Sequence, residues 1–361
     1  MKIYDINSEE IMGADAKKKL LWMDLIKVFS AFLVVMNHSI AYSFTTLPVN
    51  SREWMVVSFI YMLSRMSLPA FFMCSGAGIL SREHSIKEIW QRNILTLLKV
   101  YAAWMAIYGI KDACRIWIEG ENTGLRVMVN AFIKSILFGK YHTWFVFTLV
   151  GLYAITPFLY LIVQKKEYLC YFLVLSIIFT VILPVFSDIE WLSRLFAVVD
   201  SINMQFVVGY SLYFTAGYFI STYMDRRWEK YTAVIFILSV IAGYVWSVSA
   251  SLGTGTANQD AYWLFTPCGF VMNTSFVILF RKYFGKERES VFLNKIASLQ
   301  KYGIAIYLVH AIFVDKWAKT SGMFALILAV FIWALSLAVS MAAYRIPILN
   351  QVLFIRRSKE R

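Results

Sequence analysis

The sequence predicts an all-α protein, a polytopic membrane bundle of about ten helices with both ends of the chain in the cytoplasm. The first observation is compositional: of 361 residues, 60% are hydrophobic and only 16% are charged, whereas soluble domains contain about 25% charged residues. A soluble fold of this size could not bury so much apolar surface, but a bilayer accommodates it. The second is that apolar residues occur in runs of about 20, the length that crosses a bilayer as a helix.

Ten such runs follow one another along the chain. They are residues 21–42, 54–80, 93–110, 141–163, 168–187, 205–224, 231–250, 261–280, 302–317 and 321–344. An additional amphipathic segment, 127–139, is expected to lie at the membrane interface or to re-enter the membrane. With an even number of spans both ends lie on one side, and Lys and Arg are concentrated in the segments of that side, which indicates the cytoplasm.

These boundaries predict three parts of the chain. They are a cytoplasmic N-terminal segment at 1–19, one membrane domain at 20–354 and a basic cytoplasmic tail at 355–361. The net charge of +13 would suggest nucleic-acid binding in a soluble protein. Here the charges stand mainly between apolar runs and beside Trp and Tyr, which is typical of contact with anionic lipid headgroups. We therefore expect membrane lipids as partners and no nucleic acid.

The four cysteines predict neither a disulfide framework nor a metal site. They are Cys74, Cys114, Cys170 and Cys268. No two are close in sequence, and three lie in or beside apolar runs, where a free cysteine behaves as a small hydrophobe.

The first run carries three ionisable side chains, Asp24, Lys27 and His38. Such residues are costly inside a membrane, so each is a candidate functional residue. At about 100° per residue, the eleven steps from Lys27 and the fourteen from Asp24 bring all three to one helix face. A rise of about 1.5 Å per residue puts Lys27 about 16 Å from His38. Two structural alternatives stay open: an Asp24–Lys27 pair at a helix start, and a packed His38 bonded to a carbonyl.

The second run and the basic segment after it add further candidates. Arg65 lies inside the run and needs a partner or a wet cavity. Pro69 frees backbone carbonyls, and Ser75–Gly78 allows helices to approach closely, with packing alone as the alternative. The segment that follows contains Arg82, Lys87 and Arg92, which could bind a phosphate group or serve only the topology.

The fourth and ninth runs hold the remaining candidates. His142 and Trp144 open the fourth run. His310 lies inside the ninth, one turn after Tyr307 on the same face, and the two could hydrogen-bond a polar ligand. An ordinary interface histidine and a His–Tyr packing pair are the alternatives.

Five groups of residues resemble motifs of the acyltransferase-3 family of integral membrane acyltransferases, in the right order between residues 21 and 354. The family pattern D-x-x-R-x10-H resembles Asp24, Lys27 and His38, and the pattern P-x-F-F-x-x-S-G resembles Pro69, Phe71, Phe72, Ser75 and Gly76. The pattern H-x-W-F…L-Y…P resembles His142, Trp144, Phe145, Leu152, Tyr153 and Pro157. The pattern G-Y resembles Gly217 and Tyr218, and the pattern I-Y-x-x-H resembles Ile306, Tyr307 and His310. Each match alone is weak, but five in order are specific.

Two departures from the family pattern narrow the resemblance. Position 27 is Lys where the family usually has Arg, which keeps the charge and loses the bidentate fork. Some branches of the family place a glutamate shortly after the H-x-W motif, but no glutamate stands between Trp144 and Pro157. The chain therefore looks more like the branch with enterobacterial-common-antigen acetyltransferases and the membrane domain of serine racemases.

The resemblance implies an O-acyltransferase of the bacterial cytoplasmic (inner) membrane. It would move an acyl group, acetyl as first choice, from cytoplasmic acyl-CoA to a hydroxyl of a cell-surface glycan or its lipid-linked precursor. Acyl-CoA would be a co-substrate, with no bound cofactor. The hypothesis assigns catalysis to His38, as the general base, and to Asp24. It assigns acyl-CoA binding to Lys27, Arg92 and Arg65. It assigns contacts with the acceptor or the oxyanion to His142, Trp144, Tyr307, His310 and Ser75.

A small-molecule transporter related to the serine-racemase membrane domain is the alternative. The buried charges and Pro69 fit it as well. A third possibility is a scaffold without activity. The presence of Asp24, Lys27 and His38 on one helical face argues against it. The sequence leaves open the acceptor, acetyl against succinyl or another acyl group, direct transfer against an acyl-enzyme, and the oligomeric state.

Overall fold

The computed structural model describes residues 8–119, 124–186, 189, 201–285, 290–317, 320 and 322–355, with side chains from residue 21 onward. The predicted all-α class is confirmed, because the regular structure of these residues is helical throughout and contains no strand. Outside the described residues lie 1–7 of the predicted N-terminal segment, 356–361 of the predicted tail, and positions 187 and 321 at the ends of two predicted spans.

Fifteen helices of seven or more residues organise the described part of the chain. They are α1 (Ser8–Thr46), α2 (Arg52–Ser64), α3 (Ser67–Ile79), α4 (Leu95–Glu119), α5 (Leu125–Phe138), α6 (Trp144–Ala154), α7 (Thr156–Val163), α8 (Lys166–Ile177), α9 (Tyr210–Thr222), α10 (Thr232–Thr254), α11 (Pro267–Phe284), α12 (Val291–Ser298), α13 (Gly303–Lys316), α14 (Phe324–Arg345) and α15 (Pro347–Leu353). A helical turn, Ile86–Glu88, and a π-helical turn, Ile89–Ile94, lead into α4.

Seven helical segments of the described residues are long and apolar enough to cross a membrane. They are 21–46, 52–79, 86–118, 166–186, 232–254, 291–316 and 324–345. The pair α6 and α7, bent by 59°, makes eight if it counts as one span. All of them overlap predicted runs, so a multi-pass membrane protein is supported, but 86–118 and 291–316 begin seven and eleven residues before the runs predicted at 93–110 and 302–317.

The predicted count of ten spans and the side of the chain ends are not confirmed. The runs at 205–224 and 261–280 form α9 and α11, which are not among the seven segments. The helix α9 has 13 residues and is therefore about 20 Å long at about 1.5 Å per residue, less than the hydrocarbon thickness of about 30 Å. The amphipathic segment forms α5, and its place at the membrane stays a prediction.

The helices α3 and α9 meet backbone to backbone through two glycines. A Cβ atom at Gly76 would lie 1.9 Å from the carbonyl oxygen of Phe214, and one at Gly217 would lie 1.9 Å from that of Met73. Only glycine permits this approach without a backbone shift. At Gly78, by contrast, an added Cβ would meet no atom within 4 Å. In the Ser75–Gly78 stretch, Gly76 therefore serves packing.

The helix α1 lies against both α2 and α3 where these two helices join. The side-chain amide of Asn37 donates to the Ser64 hydroxyl over 2.8 Å, and the Trp54 indole N–H donates to the Phe44 carbonyl over 2.9 Å. Arg65, expected inside a continuous run, lies at the break between α2 and α3. The Asn37–Ser64 bond holds the His38 region of α1 beside Arg65, and the Trp54–Phe44 bond joins the end of α1 to the start of α2.

Candidate functional site

Three histidines from distant parts of the chain lie side by side. His38 is on α1, His142 is in the turn before α6, and His310 is on α13. The ring centroid of His310 is 5.3 Å from that of His38 and 5.5 Å from that of His142. The sequence identified all three as candidates but gave no sign that they meet.

Two hydrogen bonds, each with a backbone carbonyl as the acceptor, hold His142 and His310 in place. The Tyr307 hydroxyl donates to the carbonyl of His142. The Nδ1 atom of His310 lies 3.3 Å from the Ile306 carbonyl, whereas its Nε2 atom has no hydrogen-bond partner among the described residues. A carbonyl only accepts, so we assign the proton to Nδ1, which leaves Nε2 of His310 as an acceptor.

A pocket of about 290 Å³ opens beside these rings, and we call it the histidine pocket. Five of the predicted site residues line it: His38, Arg65, His142, Trp144 and Tyr307. Its other walls include Tyr210 and Trp263. His310 is fully buried and does not line the pocket, but its ring packs against the rings of His38 and His142, which do.

Arg65 is the cation of the histidine pocket. Its Nη2 atom donates to the Tyr61 hydroxyl over 2.9 Å and to the side-chain oxygen of Gln259. The guanidinium carbon lies 4.9 Å from the centre of the Tyr61 ring and 5.0 Å from that of Trp263. No carboxylate of the described residues forms a salt bridge with it. Arg65 lines the same pocket as His38, and it does not line the void beside Lys27 as the acyl-CoA assignment would require.

A larger void, which we call the basic cavity, lies at the other end of this part of α1. It measures about 860 Å³, and its lining includes Lys27, Arg82, His84 and Lys301. Asp24 and Ser75 also line it, and the Lys27 Nζ atom is 3.8 Å from the Asp24 carboxylate. The lining is thus strongly cationic, as the binding of a polyanion requires.

Arg92, the remaining predicted residue of the acyl-CoA site, lines neither void. Its Nη1 atom lies 3.4 Å from the carboxylate of Glu88 on an exposed surface. Sequence reasoning instead missed His84 and Lys301, which stand in basic segments between the apolar runs. Burial, followed by the positive charge of Arg82, lowers the pKa of His84.

A third, small void, which we call the neck, lies between the basic cavity and the histidine pocket and shares lining residues with both. Its volume is about 30 Å³. Lys27, Phe71 and Gly303 line both the neck and the basic cavity. Val34, Leu68 and Tyr307 are among the residues that line both the neck and the histidine pocket. A line of voids thus follows α1 from Lys27 to His38.

The arrangement can hold a ligand with an anionic head and a slender arm that reaches an imidazole. A neutral imidazole in a shielded pocket can take a proton from a hydroxyl group. Among the described residues, no group of three or more His, Cys, Asp or Glu side chains is arranged to hold a metal ion.

The comparisons with known proteins identify the family. A family model described as an acyltransferase domain matches residues 20–345, which is most of the chain. A search of curated proteins and a search of solved structures each found no match. The matched range contains the long apolar helices, the histidine pocket and the basic cavity. The chain therefore belongs to the acyltransferase-3 family, and its helices support a membrane acyltransferase.

Proposed function

We propose that the protein transfers an acyl group, with acetyl as first choice, from acyl-CoA to a hydroxyl of a cell-surface glycan or its lipid-linked precursor. The observation that carries the proposal is the line of voids from the basic cavity through the neck to His38. It separates a site for a polyanion from a site for proton transfer. A thioester with a phosphate-rich head and a narrow arm would fit this line of voids, with its head in the basic cavity and its arm in the neck.

The basic cavity would hold the phosphate groups of the donor. Lys27, Arg82 and Lys301 line it, and charge-assisted hydrogen bonds to phosphate are about twice as strong as neutral ones. Asp24, next to Lys27, is a positioning residue in this scheme. The arm of the donor would pass the neck after Phe71 and Phe145, two of its lining residues, move apart.

His38 would act as the general base. Its neutral ring takes the proton of the acceptor hydroxyl while the hydroxyl oxygen attacks the thioester carbonyl. The new C–O bond forms, the C–S bond breaks, and the imidazolium returns the proton to the leaving thiolate. Both ring nitrogens of His142 lack a partner among the described residues, so its N–H is available to the developing oxyanion.

Direct transfer is the simpler course for this site. Ser75, considered as a nucleophile, lines the basic cavity and not the histidine pocket. An acyl-enzyme at Ser75 would thus form away from the proposed base. His38 itself is the remaining candidate for a covalent intermediate.

The cellular setting is part of the same proposal. The protein would lie in the bacterial cytoplasmic membrane, with the chain ends and the basic cavity on the cytoplasmic side, where acyl-CoA is present. The likeness of this chain to the branch that includes enterobacterial-common-antigen acetyltransferases supports a sugar acceptor. A reporter fused after Arg361 should read as cytoplasmic, and an outside reading would contradict this orientation.

The decisive experiment follows label from radiolabelled acetyl-CoA in membranes that contain the protein or its His38→Ala variant. Label should enter a glycan fraction only with the unaltered protein, with a loss of at least about 100-fold in the variant, as expected for a general base. Equal amounts of both proteins, intact by size-exclusion chromatography, are the control. Undiminished transfer by the variant would remove His38 from the mechanism.

A small-molecule transporter is the second candidate, because two voids on either side of a constriction also fit alternating access. Consumption of acyl-CoA separates the two. Solute uptake into proteoliposomes without acyl-CoA, and no thioester cleavage with several acyl groups and a native glycan extract, would favour the transporter.

A further inference from the structure

We propose that the histidine pocket recognises an acceptor that carries a carboxylate, and that Arg65 binds this group. The inference rests on the proposed function and names the acceptor class that the sequence left open. It predicts an acidic sugar, such as a uronic acid residue, in preference to a neutral one.

The first argument is the charge balance inside the bundle. Lys27, Lys111, Lys140 and Arg281 each have a carboxylate within 4.0 Å. Arg65 has neutral partners only, Gln259 and the Tyr61 hydroxyl, and no carboxylate of the described residues pairs with it. A cation in a membrane interior is costly without an opposite charge. An anionic ligand in the pocket supplies that charge.

The second argument is the unused hydrogen-bonding capacity of the guanidinium. Arg65 has five N–H donors, and both of its described hydrogen bonds come from Nη2. Nε is buried and has no partner among the described residues. The faces of the guanidinium lie near the Tyr61 and Trp263 rings, which hold it in place. A preorganised guanidinium with spare donors is suited to a carboxylate.

The third argument is the shape of the pocket. Its volume of about 290 Å³ is near the lower end of ligand pockets, about 300–1,000 Å³, and suits one sugar residue. Trp144, Tyr210 and Trp263 line it, and the rings of Trp144 and Tyr210 are 5.5 Å apart. Aromatic faces pack well against the C–H faces of a pyranose.

The carboxylate belongs to the acceptor and not to the acyl group. The donor would arrive through the neck, past Ser67, Leu68 and Tyr307. The anion site is built instead with Gln259 and Trp263, which follow α10 and do not line the neck. Succinyl-CoA, whose acyl group carries a carboxylate of its own, tests this assignment.

The experiment measures binding of two probes, D-glucuronate and its neutral analogue D-glucuronamide, to the full chain in detergent by calorimetry. The acid should bind at least about tenfold more tightly, as expected for one charge-assisted pair. In Gln259→Glu the new carboxylate pairs with Arg65, so the preference for the acid should disappear. The same substitution at exposed Gln351, Gln351→Glu, is the matched control and should keep the preference. Both substitutions are nearly isosteric, which protects folding.

Equal binding of the two probes, or an unchanged preference in Gln259→Glu, would overturn the inference. A transfer assay with succinyl-CoA and acetyl-CoA gives the other arm: a preference for the succinyl donor that Gln259→Glu removes would assign the carboxylate to the donor and also overturn it. Charge-dependent probe binding without transfer from any acyl-CoA would refute the proposed function and uphold the anion site.

Discussion

The basic cavity and the histidine pocket lie at the two ends of one stretch of α1, and they are built in different ways. The basic cavity takes its cations from α1 and from segments between apolar runs, such as Arg82 and Lys301. The histidine pocket takes its polar groups from within or beside the apolar runs, among them His38, Arg65 and His142. Charged residues between spans also serve topology, whereas polar residues inside spans are costly. Function is thus easier to read from the second set.

We expect the largest effect from a substitution that closes the neck and so separates the two voids. Ala31 lines the neck and is buried there. In Ala31→Leu the longer side chain blocks the donor arm, so acyl transfer should fall by about 100-fold, as when a reacting group is misplaced. Binding of CoA to the basic cavity should change little.

The matched control for the neck is Ala102→Leu, because Ala102 is exposed on α4. Transfer and CoA affinity are measured for both variants. Undiminished transfer by a well-folded Ala31→Leu protein would show that the neck is not the donor's route.

The second prediction compares Gly76 and Gly78, two glycines of α3 that are two residues apart. Gly76→Ala should destabilise the protein by about 1–3 kcal/mol, because its Cβ would overlap the Phe214 carbonyl. Gly78→Ala should be close to neutral for stability, since open space surrounds that position. Thermal unfolding in detergent measures both, and equal melting temperatures would contradict the close approach of α3 and α9.

The third prediction concerns the donor end alone. Lys27→Ala should raise the KM for acyl-CoA by about tenfold, the loss expected for one charge-assisted phosphate contact, and leave the acceptor's KM nearly unchanged. Lys27→Arg should be tolerated, because it keeps the charge. Steady-state kinetics with each substrate varied in turn test this split, and an unchanged donor KM in Lys27→Ala would dissociate Lys27 from the donor site.

The smallest expected effect tests which of two cations, Lys301 or Arg92, binds the donor. Lys301 lines the basic cavity, whereas Arg92 pairs with Glu88 outside it. Lys301→Gln should raise the donor KM several-fold, in the range of one partly exposed charge contact, about 0.5–1 kcal/mol. Arg92→Gln should leave it unchanged, and the reverse order would restore Arg92 to the donor site.

Much of the fold could be predicted, because runs of about 20 apolar residues are a strong signal. The signal failed where an apolar run was not one helix. The run at 205–224 opens in a short 3₁₀ turn, Met204–Phe206, and its α-helix, α9, begins only after Gly209, which has a φ of +83°. The fourth run breaks beside Pro157, whose ring cannot continue a straight helix. Apolarity alone does not report either break.

The candidate site could be predicted in its residue types and not in its grouping. Polar residues inside spans marked His38, Arg65 and His310 individually. Their meeting depends on how α1, α2 and α13 pack, which no local pattern contains. Lys301 was missed for another reason: it stands in a basic segment that the positive-inside rule already explained. The functional roles of all these residues stay predictions.

The neck also has an electrical consequence. Two hydrated ends joined by a continuous file of water would conduct protons along α1 and dissipate the gradient across the membrane. With a volume of about 30 Å³, the neck has room for about two waters. Seven of its eleven described lining residues are apolar, and the polar ones are Lys27, Ser30, Ser67 and Tyr307. So small a void interrupts a file of water between the two ends, and in the proposed function a donor arm that fills the neck would keep that file interrupted during transfer.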